Sequence, residues 1–338
     1  MCRLEKFLGL IFLLFMTLTV EGCGDKSDDK AKEFLNVSYD PTRELFATYN
    51  DRFGLHWHEL TGEYILFLNS HGGSWNQAQE VIEGRQADVV SLALASDVDK
   101  ICRAGLIKPD WIKQFPYNSA PYTSTIVFLV RKGNPKNIQD WDDLTREDVS
   151  IVMPNPKNSG GSRLGYLSAW EFARRKFNGD QEQILNFMHD IFANVVALDI
   201  GPRNSVQLFV ERQQGDVFIA WENEALMTMK KRGGYFDLIR PSISILAEPS
   251  VAIVDQVVDN RGTRKVAEEY IRYLYSPEGQ EIIARNFYRP RDPEIAQKYS
   301  EIFKPINFFT IEEAFGSWEK AQQDHFSTGG TFDQIYHN

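Results

Sequence analysis

The sequence predicts an α/β protein built as two lobes, each a mostly parallel sheet flanked by helices, with one lobe discontinuous in the chain. Three observations carry this expectation. Short β-branched and aromatic runs alternate with helical periodicities, the βαβα order of a sheet covered on both faces. The alternation breaks at Ser119-Ala120-Pro121-Tyr122-Thr123-Ser124 and then starts again, as a chain does when it crosses from one lobe to another. Finally, 338 residues with 43% hydrophobic and 13% aromatic content are enough for two cores.

In order, Phe34 to Tyr39 reads as a strand, and from Thr42 a helical pattern begins with Pro41 near its first turn, where a missing N–H does no harm. Tyr64 to Leu68 is a strand, Asn76 to Glu83 a helix, Ala87 to Leu94 a strand and Val98 to Ala104 a helix. After the crossing comes the apolar strand Thr125 to Val130, then Trp141 to Leu144, a strand around Ile151-Val152-Met153, and helices from Arg163 to Phe177 and from Glu182 to Phe192. Val195 to Leu198 and Val217 to Ala220 are strands around a helix at Ser205 to Arg212. Ile245 to Val254 is the return strand, and the helices Val266 to Leu274 and Gly279 to Arg285 pack back on the first lobe. The predicted layout is residues 34–122 and 250–338 for the discontinuous lobe and 123–249 for the inserted one, joined by two crossings.

Ahead of this body, residues 1–22 carry Arg3 and Lys6 and then an apolar run from Phe7 to Met16, too short for a membrane span and suited to a signal peptide. The chain is expected in the periplasm or cell envelope. Val20-Glu21-Gly22-Cys23 resembles a bacterial lipobox, which makes Cys23 the candidate site of a lipid anchor, with ordinary cleavage nearby as the alternative. Residues 23–33 are polar and charged and read as a tether. Cys102 is then the single cysteine of the body, so no disulfide framework arises.

A net charge of −10 without any block of clustered Lys and Arg argues against nucleic acid or an anionic membrane as partner. It leaves room for a small anion, because main-chain dipoles and neutral donors can hold one. No metal site is promoted: His56-Trp57-His58 is an isolated pair on one helix.

The residues that speak for an anion are three strand-to-helix turns. Ser70-His71-Gly72-Gly73-Ser74 joins a strand to the helix that begins Trp75-Asn76-Gln77, and on its own could be a surface turn. Pro154-Asn155-Pro156-Lys157-Asn158-Ser159-Gly160-Gly161-Ser162 repeats the arrangement, and Leu198-Asp199-Ile200-Gly201-Pro202-Arg203-Asn204-Ser205 precedes a third helix. Unpaired N–H groups at such helix starts face outward, where the aligned peptide dipoles favour negative charge. The Ser159 hydroxyl and the Gly160 and Gly161 N–H groups can converge on one oxyanion, glycine allowing both positive φ and close approach. Trp221, at the end of the strand Val217 to Ala220, brings an indole that only donates.

Together with Leu35-Asn36-Val37-Ser38-Tyr39-Asp40-Pro41-Thr42-Arg43-Glu44-Leu45 and Asn118 to Pro135, these turns resemble the sulfate-binding proteins of bacterial ABC uptake systems. Ala220-Trp221-Glu222-Asn223-Glu224-Ala225, Ile245-Leu246-Ala247-Glu248-Pro249, Tyr275-Ser276-Pro277-Glu278-Gly279-Gln280, Asn286 to Asp292 and Gly329-Gly330-Thr331-Phe332-Asp333-Gln334 extend the likeness from Phe34 to the C-terminus. The resemblance implies a two-lobed periplasmic-binding-protein fold with two hinge crossings, no enzymatic activity and no cofactor. It implies capture of sulfate or thiosulfate in the cleft, delivery to the membrane subunits of an ABC permease, and a monomer. By motif it implies as ligands the Ser74 N–H, the Ser159 hydroxyl, the Gly160 and Gly161 N–H groups and the Trp221 indole N–H. Sulfate is fully deprotonated near neutral pH and only accepts hydrogen bonds, so an all-donor pocket suits it. Protonated phosphate would leave its O–H facing a donor, at a cost of roughly 1–3 kcal/mol, about ten- to a hundredfold in affinity.

Two positions depart from that family. Where its third turn has an alanine donating an N–H, this chain has Pro202, which cannot donate; Trp75-Asn76 replaces a usual Gly-Lys, and the Trp75 indole is expected either to narrow the pocket or to supply a replacement N–H. Two rival functions differ in what the residues support. An enzyme lacks support, since Ser74 has no Gly-x-Ser-x-Gly setting and His71 no assignable partner. A sensor or receptor for another tetrahedral oxyanion, uncoupled from transport, would use the same fold.

Overall fold

A computed structural model describes residues 32–157, 159–198 and 202–336; the signal peptide, most of the tether with Cys23, and Gly201 lie outside the described residues. The first strand, Lys32–Tyr39, lies at the middle of a four-stranded sheet and pairs in parallel with Ile65–Gly72 on one side and Val89–Leu92 on the other. The return strand Ser250–Ile253 adds to it in antiparallel register, Ser250 opposite Leu92. Val89–Leu92 is buried along its whole length, Ser91 included, so it lacks the apolar–polar alternation of a strand with one face in water.

The helix Arg43–Thr61 covers this sheet with Leu45, Phe46, Tyr49, Phe53 and Trp57, apolar positions at helical spacing, and stops at Gly62, whose φ of 76° closes the last turn. On this helix His56 pairs with Glu269 at 2.8 Å and His58 stacks on Tyr64, so the two histidines do not converge.

A second sheet of five strands runs Val195–Ala197, Ile151–Val152, Val217–Trp221, Ile126–Arg131, Phe236–Ile239. Its first three strands are parallel, whereas Ile126–Arg131 runs antiparallel to both its neighbours. The helices Gly160–Lys176 and Glu222–Lys231 pack over it. The latter, whose first turn carries Glu222 and Glu224, and the edge strand Phe236–Ile239 were not read from the sequence.

Between the sheets the chain passes through Tyr122–Thr123, which pairs antiparallel with Arg289–Pro290, and Ser124, bridged to Ala247. The long return strand expected at Ile245 to Val254 is two pieces. Ser244–Ile245 pairs with Phe308–Phe309 and Ser250–Ile253 with the first sheet, with Pro249 between them. A further departure concerns the C-terminus, which was expected with the first lobe. Phe326, Phe332 and Ile335 are buried, and Phe326 and Phe332 lie 5.2 and 5.8 Å from the Tyr166 ring, so the last segment covers helices of the second sheet. The reason is apolar surface on Gly160–Lys176 that the sheet leaves uncovered. The segment's own short elements carry no periodicity that would announce this partner.

Candidate functional site

The carboxyl ends of both sheets' strands meet at one pocket, the position that ligands take in open α/β sheets. Ser74, Ser159, Gly160, Gly161 and Trp221 all line it, so the five residues singled out from sequence come together although they are separated by up to 147 positions along the chain. Among the described residues no lysine, arginine or histidine lines the pocket; its charged members are Asp40 and Glu224.

Ser74 is the first residue of the helix Ser74–Ile82, with Gly73 as its cap. Its hydroxyl is already committed, donating to the buried Asp97 carboxylate at 2.7 Å and accepting from the Ala93 N–H at 3.1 Å. What Ser74 offers the pocket is therefore its main-chain N–H, one of the groups a helix start leaves without an internal partner. Asp97 also takes Lys100 at 3.0 Å, and this network, which fixes the turn, was not visible in sequence.

Ser159 caps the helix Gly160–Lys176 and accepts the Ser162 N–H at 3.3 Å. A capping serine uses a lone pair in this way, and its hydroxyl hydrogen stays available to donate to an anion. Gly160 and Gly161 form the first turn of that helix. Neither they nor Gly72 and Gly73 have positive φ, which corrects the sequence-based argument for a nest. Space is the reason for glycine here. A Cβ on Gly161 would stand 2.2 Å from the Trp221 indole nitrogen, and one on Gly160 would stand 3.2 Å from Leu94 and 3.7 Å from the Ser74 Cβ.

Trp221 ends its strand, is 4% exposed, and packs against Tyr39 with ring centroids 5.5 Å apart. Among the described residues its indole N–H has no hydrogen-bond partner. Pointing at Gly161 in the pocket wall, it is a donor held ready for an acceptor.

Tyr39 and Asp40 also line the pocket, Asp40 opening the one-turn helix Asp40–Thr42 at the end of the first strand. Sequence reasoning passed over them, although strand end followed by helix start was the signal used elsewhere. Burial pushes the Glu224 carboxyl up to about 7, with Asp40 and Glu44 acting in the same direction and the main-chain N–H of Trp221 against it. Glu222 is fully buried beside it, held by Arg289 at 2.6 and 2.9 Å.

The two departures fare differently. Trp75 is 42% exposed, does not line the pocket, and carries Lys100 5.5 Å above its ring. It therefore neither narrows the pocket nor replaces a donor, because one helical step past Ser74 points it to another face. Pro202 opens the helix Pro202–Val210, the position at which proline's missing N–H would have been unpaired anyway.

Comparisons with known proteins give the family. A family model described as bacterial extracellular solute-binding protein matches residues 53–289. A protein of Escherichia coli K12 named sulfate-binding protein is 55% identical over 328 residues, with 97% of each chain covered. A Pseudomonas aeruginosa protein named thiosulfate-binding protein is 46% identical over 308 residues, covering 90% of this chain and 92% of its own. The solved structure of the sulfate-binding protein SubI from Mycobacterium tuberculosis H37Rv matches with a TM-score of 0.78 at 25% identity, covering 88% of this chain and all of that one. Fold, pocket and relatives together place this chain in the family of bacterial extracellular solute-binding proteins, among its sulfate- and thiosulfate-binding members.

Proposed function

We propose that this protein captures sulfate, or its relative thiosulfate, between the two sheets and hands it to an ABC permease. One observation carries the reading: the pocket gathers helix starts, a serine hydroxyl and an unpartnered indole N–H, with no cationic side chain among its described lining. Such a wall supplies hydrogen-bond donors to an ion that only accepts, and the peptide dipoles offset its charge without a counter-ion. The Ser74, Gly160 and Gly161 N–H groups, the Ser159 hydroxyl and the Trp221 indole are the ligands in this account. The names of its relatives support the anion.

Residues 34–122 and the chain from 250 onward act as one lobe and 123–249, covered by the C-terminal segment Gln322–Ile335, as the other, with the Tyr122–Ser124 and Ala247 crossings as hinge. Closure around the anion is the signal read by the permease, as a hinge motion between a few terminal residues allows. The protein works as a monomer in the periplasm, held to the membrane by a lipid on Cys23. Equilibrium dialysis of unfolded, anion-stripped and refolded protein against radiolabelled sulfate tests the ligand, one anion per chain being expected. Mass spectrometry of the mature N-terminus tests the anchor, and an unmodified Cys23 would exclude it.

A further inference from the structure

The motif Gly329-Gly330-Thr331-Phe332-Asp333-Gln334 takes no part in the pocket, yet the structure ties it to the turn that carries Ser159. The link is Lys157, two residues before Ser159 and itself outside the pocket lining. Its ammonium turns to the C-terminal segment, donating to the Phe326 carbonyl at 3.0 Å and the Ser327 carbonyl at 3.2 Å and pairing with Asp333 at 2.7 Å. Asp333 is in turn fixed by the Gly329 N–H at 2.8 Å.

The segment that grips Lys157 is itself firmly seated. Phe326 and Phe332 are buried against Tyr166, and Phe332 also lies 5.3 Å from Phe192. On its other side the turn is held by the buried Arg163, which donates to the Pro156 carbonyl at 2.9 Å and the Lys157 carbonyl at 3.0 Å and lies 5.4 Å from the Phe326 ring. Within the turn, the Ser159 N–H donates to the Asn155 carbonyl at 3.0 Å and the Lys157 N–H to the Asn155 side chain at 2.8 Å. The turn is thus braced from its own helix and from the far end of the chain.

We propose that Lys157 is a positioning residue for anion binding, through which the C-terminal segment Gln322–Ile335 holds the Ser159–Gly161 donors in place. The physical reason is preorganisation. Donors aimed in advance cost no ordering when the anion arrives, and a misplacement of about 1 Å is enough to lose much of their effect. Three acceptors on one ammonium, two of them main-chain carbonyls at the end of the turn of helix Gln322–Phe326, fix the loop more closely than an exposed ion pair alone would.

A rival explanation is that Lys157 simply adds positive charge near the anion, and Asp333 separates the two. Removing the Asp333 charge would strengthen binding if charge were the cause and weaken it if the grip were. The inference rests on the oxyanion reading, so wild-type protein is titrated with sulfate alongside the variants, and hydrogen exchange of the amides of residues 159–161 is followed in ligand-free protein as a readout that needs no anion. In Lys157→Met the sulfate Kd should rise about tenfold, near 1.4 kcal/mol, and those amides should exchange faster. Lys157→Arg should retain most of the affinity, and Asp333→Asn should bind several-fold more weakly. Unchanged exchange and a Kd within twofold of wild type in Lys157→Met, or tighter binding in Asp333→Asn, would overturn the proposal. Should Lys157→Met not fold, Asp333→Asn decides alone. A wild type that binds no sulfate would count against the ligand reading, while the exchange data would still judge the brace.

Discussion

Replacing Gly161 by alanine perturbs the site at the point where the structure leaves least room. The new Cβ would stand 2.2 Å from the Trp221 indole nitrogen and 3.1 Å from two of its ring carbons, whereas ordinary contact begins near 3.4 Å. The indole must therefore retreat by about 1.2 Å. It has nowhere easy to go, being 4% exposed and packed on Tyr39. A hydrogen bond of about 2.9 Å stretched by that much is no longer one. Hydrogen bonds to a charged partner contribute roughly 1.5–3 kcal/mol, so sulfate affinity should fall by about ten- to a hundredfold. Overpacking costs about 1–3 kcal/mol of stability, against which alanine's better helix propensity returns up to about 1 kcal/mol, so the variant should fold. Isothermal titration calorimetry gives the affinity, and Trp221→Phe, which deletes the N–H without a clash, should give a loss of similar size. A folded Gly161→Ala protein binding sulfate within twofold of wild type would show that the indole position does not matter to the anion.

Other outcomes follow from the same geometry. Pro202→Ala restores an N–H at the start of the helix Pro202–Val210 and should tighten sulfate binding, by up to about tenfold if that N–H reaches the anion; unchanged or weaker affinity would mean that the site is built around the proline. Ser74→Ala leaves the Ala93 N–H and the Asp97 carboxylate each one partner short, and should cost about 1–3 kcal/mol in urea unfolding, with a smaller effect on Kd because the main-chain N–H stays. Equal stability of variant and wild type would contradict the assigned network. Burial pushes the His325 imidazole down to about 4, against Asp324 and with Lys320, while its Nδ1 faces the Tyr166 hydroxyl at 3.1 Å. The unfolded chain takes up that proton near pH 6.5, so between 6.5 and 4 it binds more protons than the folded one and stability falls as pH falls. His325→Gln should lack about 2–3 kcal/mol of that loss in urea unfolding at pH 7 against pH 4.5. His71, which burial also holds near 4, contributes equally to both proteins, so parallel pH profiles would rule the assignment out.

Much of the site was legible because its signal is local: a strand end, a short polar turn and a helix start lie next to one another in sequence around Ser74 and around Ser159. The alternation of elements gave both sheets for the same reason. What was hidden depends on distant partners. Nothing near Ser74 announces that its hydroxyl belongs to Asp97 and its N–H to the pocket. Glycine at Gly161 was expected for positive φ and for close approach of a ligand; φ is not positive, and only the folded chain shows Trp221 standing against it. Trp75 looked like a pocket residue by adjacency, but one helical step turned it outward. The C-terminal segment went to the wrong lobe because Phe326 and Phe332 find their partners on a helix more than 150 residues earlier, a contact set by apolar surface left over elsewhere.

The central claim is that neutral donors, and no cation, hold a fully deprotonated tetrahedral anion. Calorimetry of anion-stripped, refolded protein with sulfate and with phosphate near neutral pH tests it most directly. Saturation by sulfate at one anion per chain, with phosphate weaker by tenfold or more because its O–H meets a donor, is the expected result. Saturation by phosphate with no response to sulfate or thiosulfate would contradict the account.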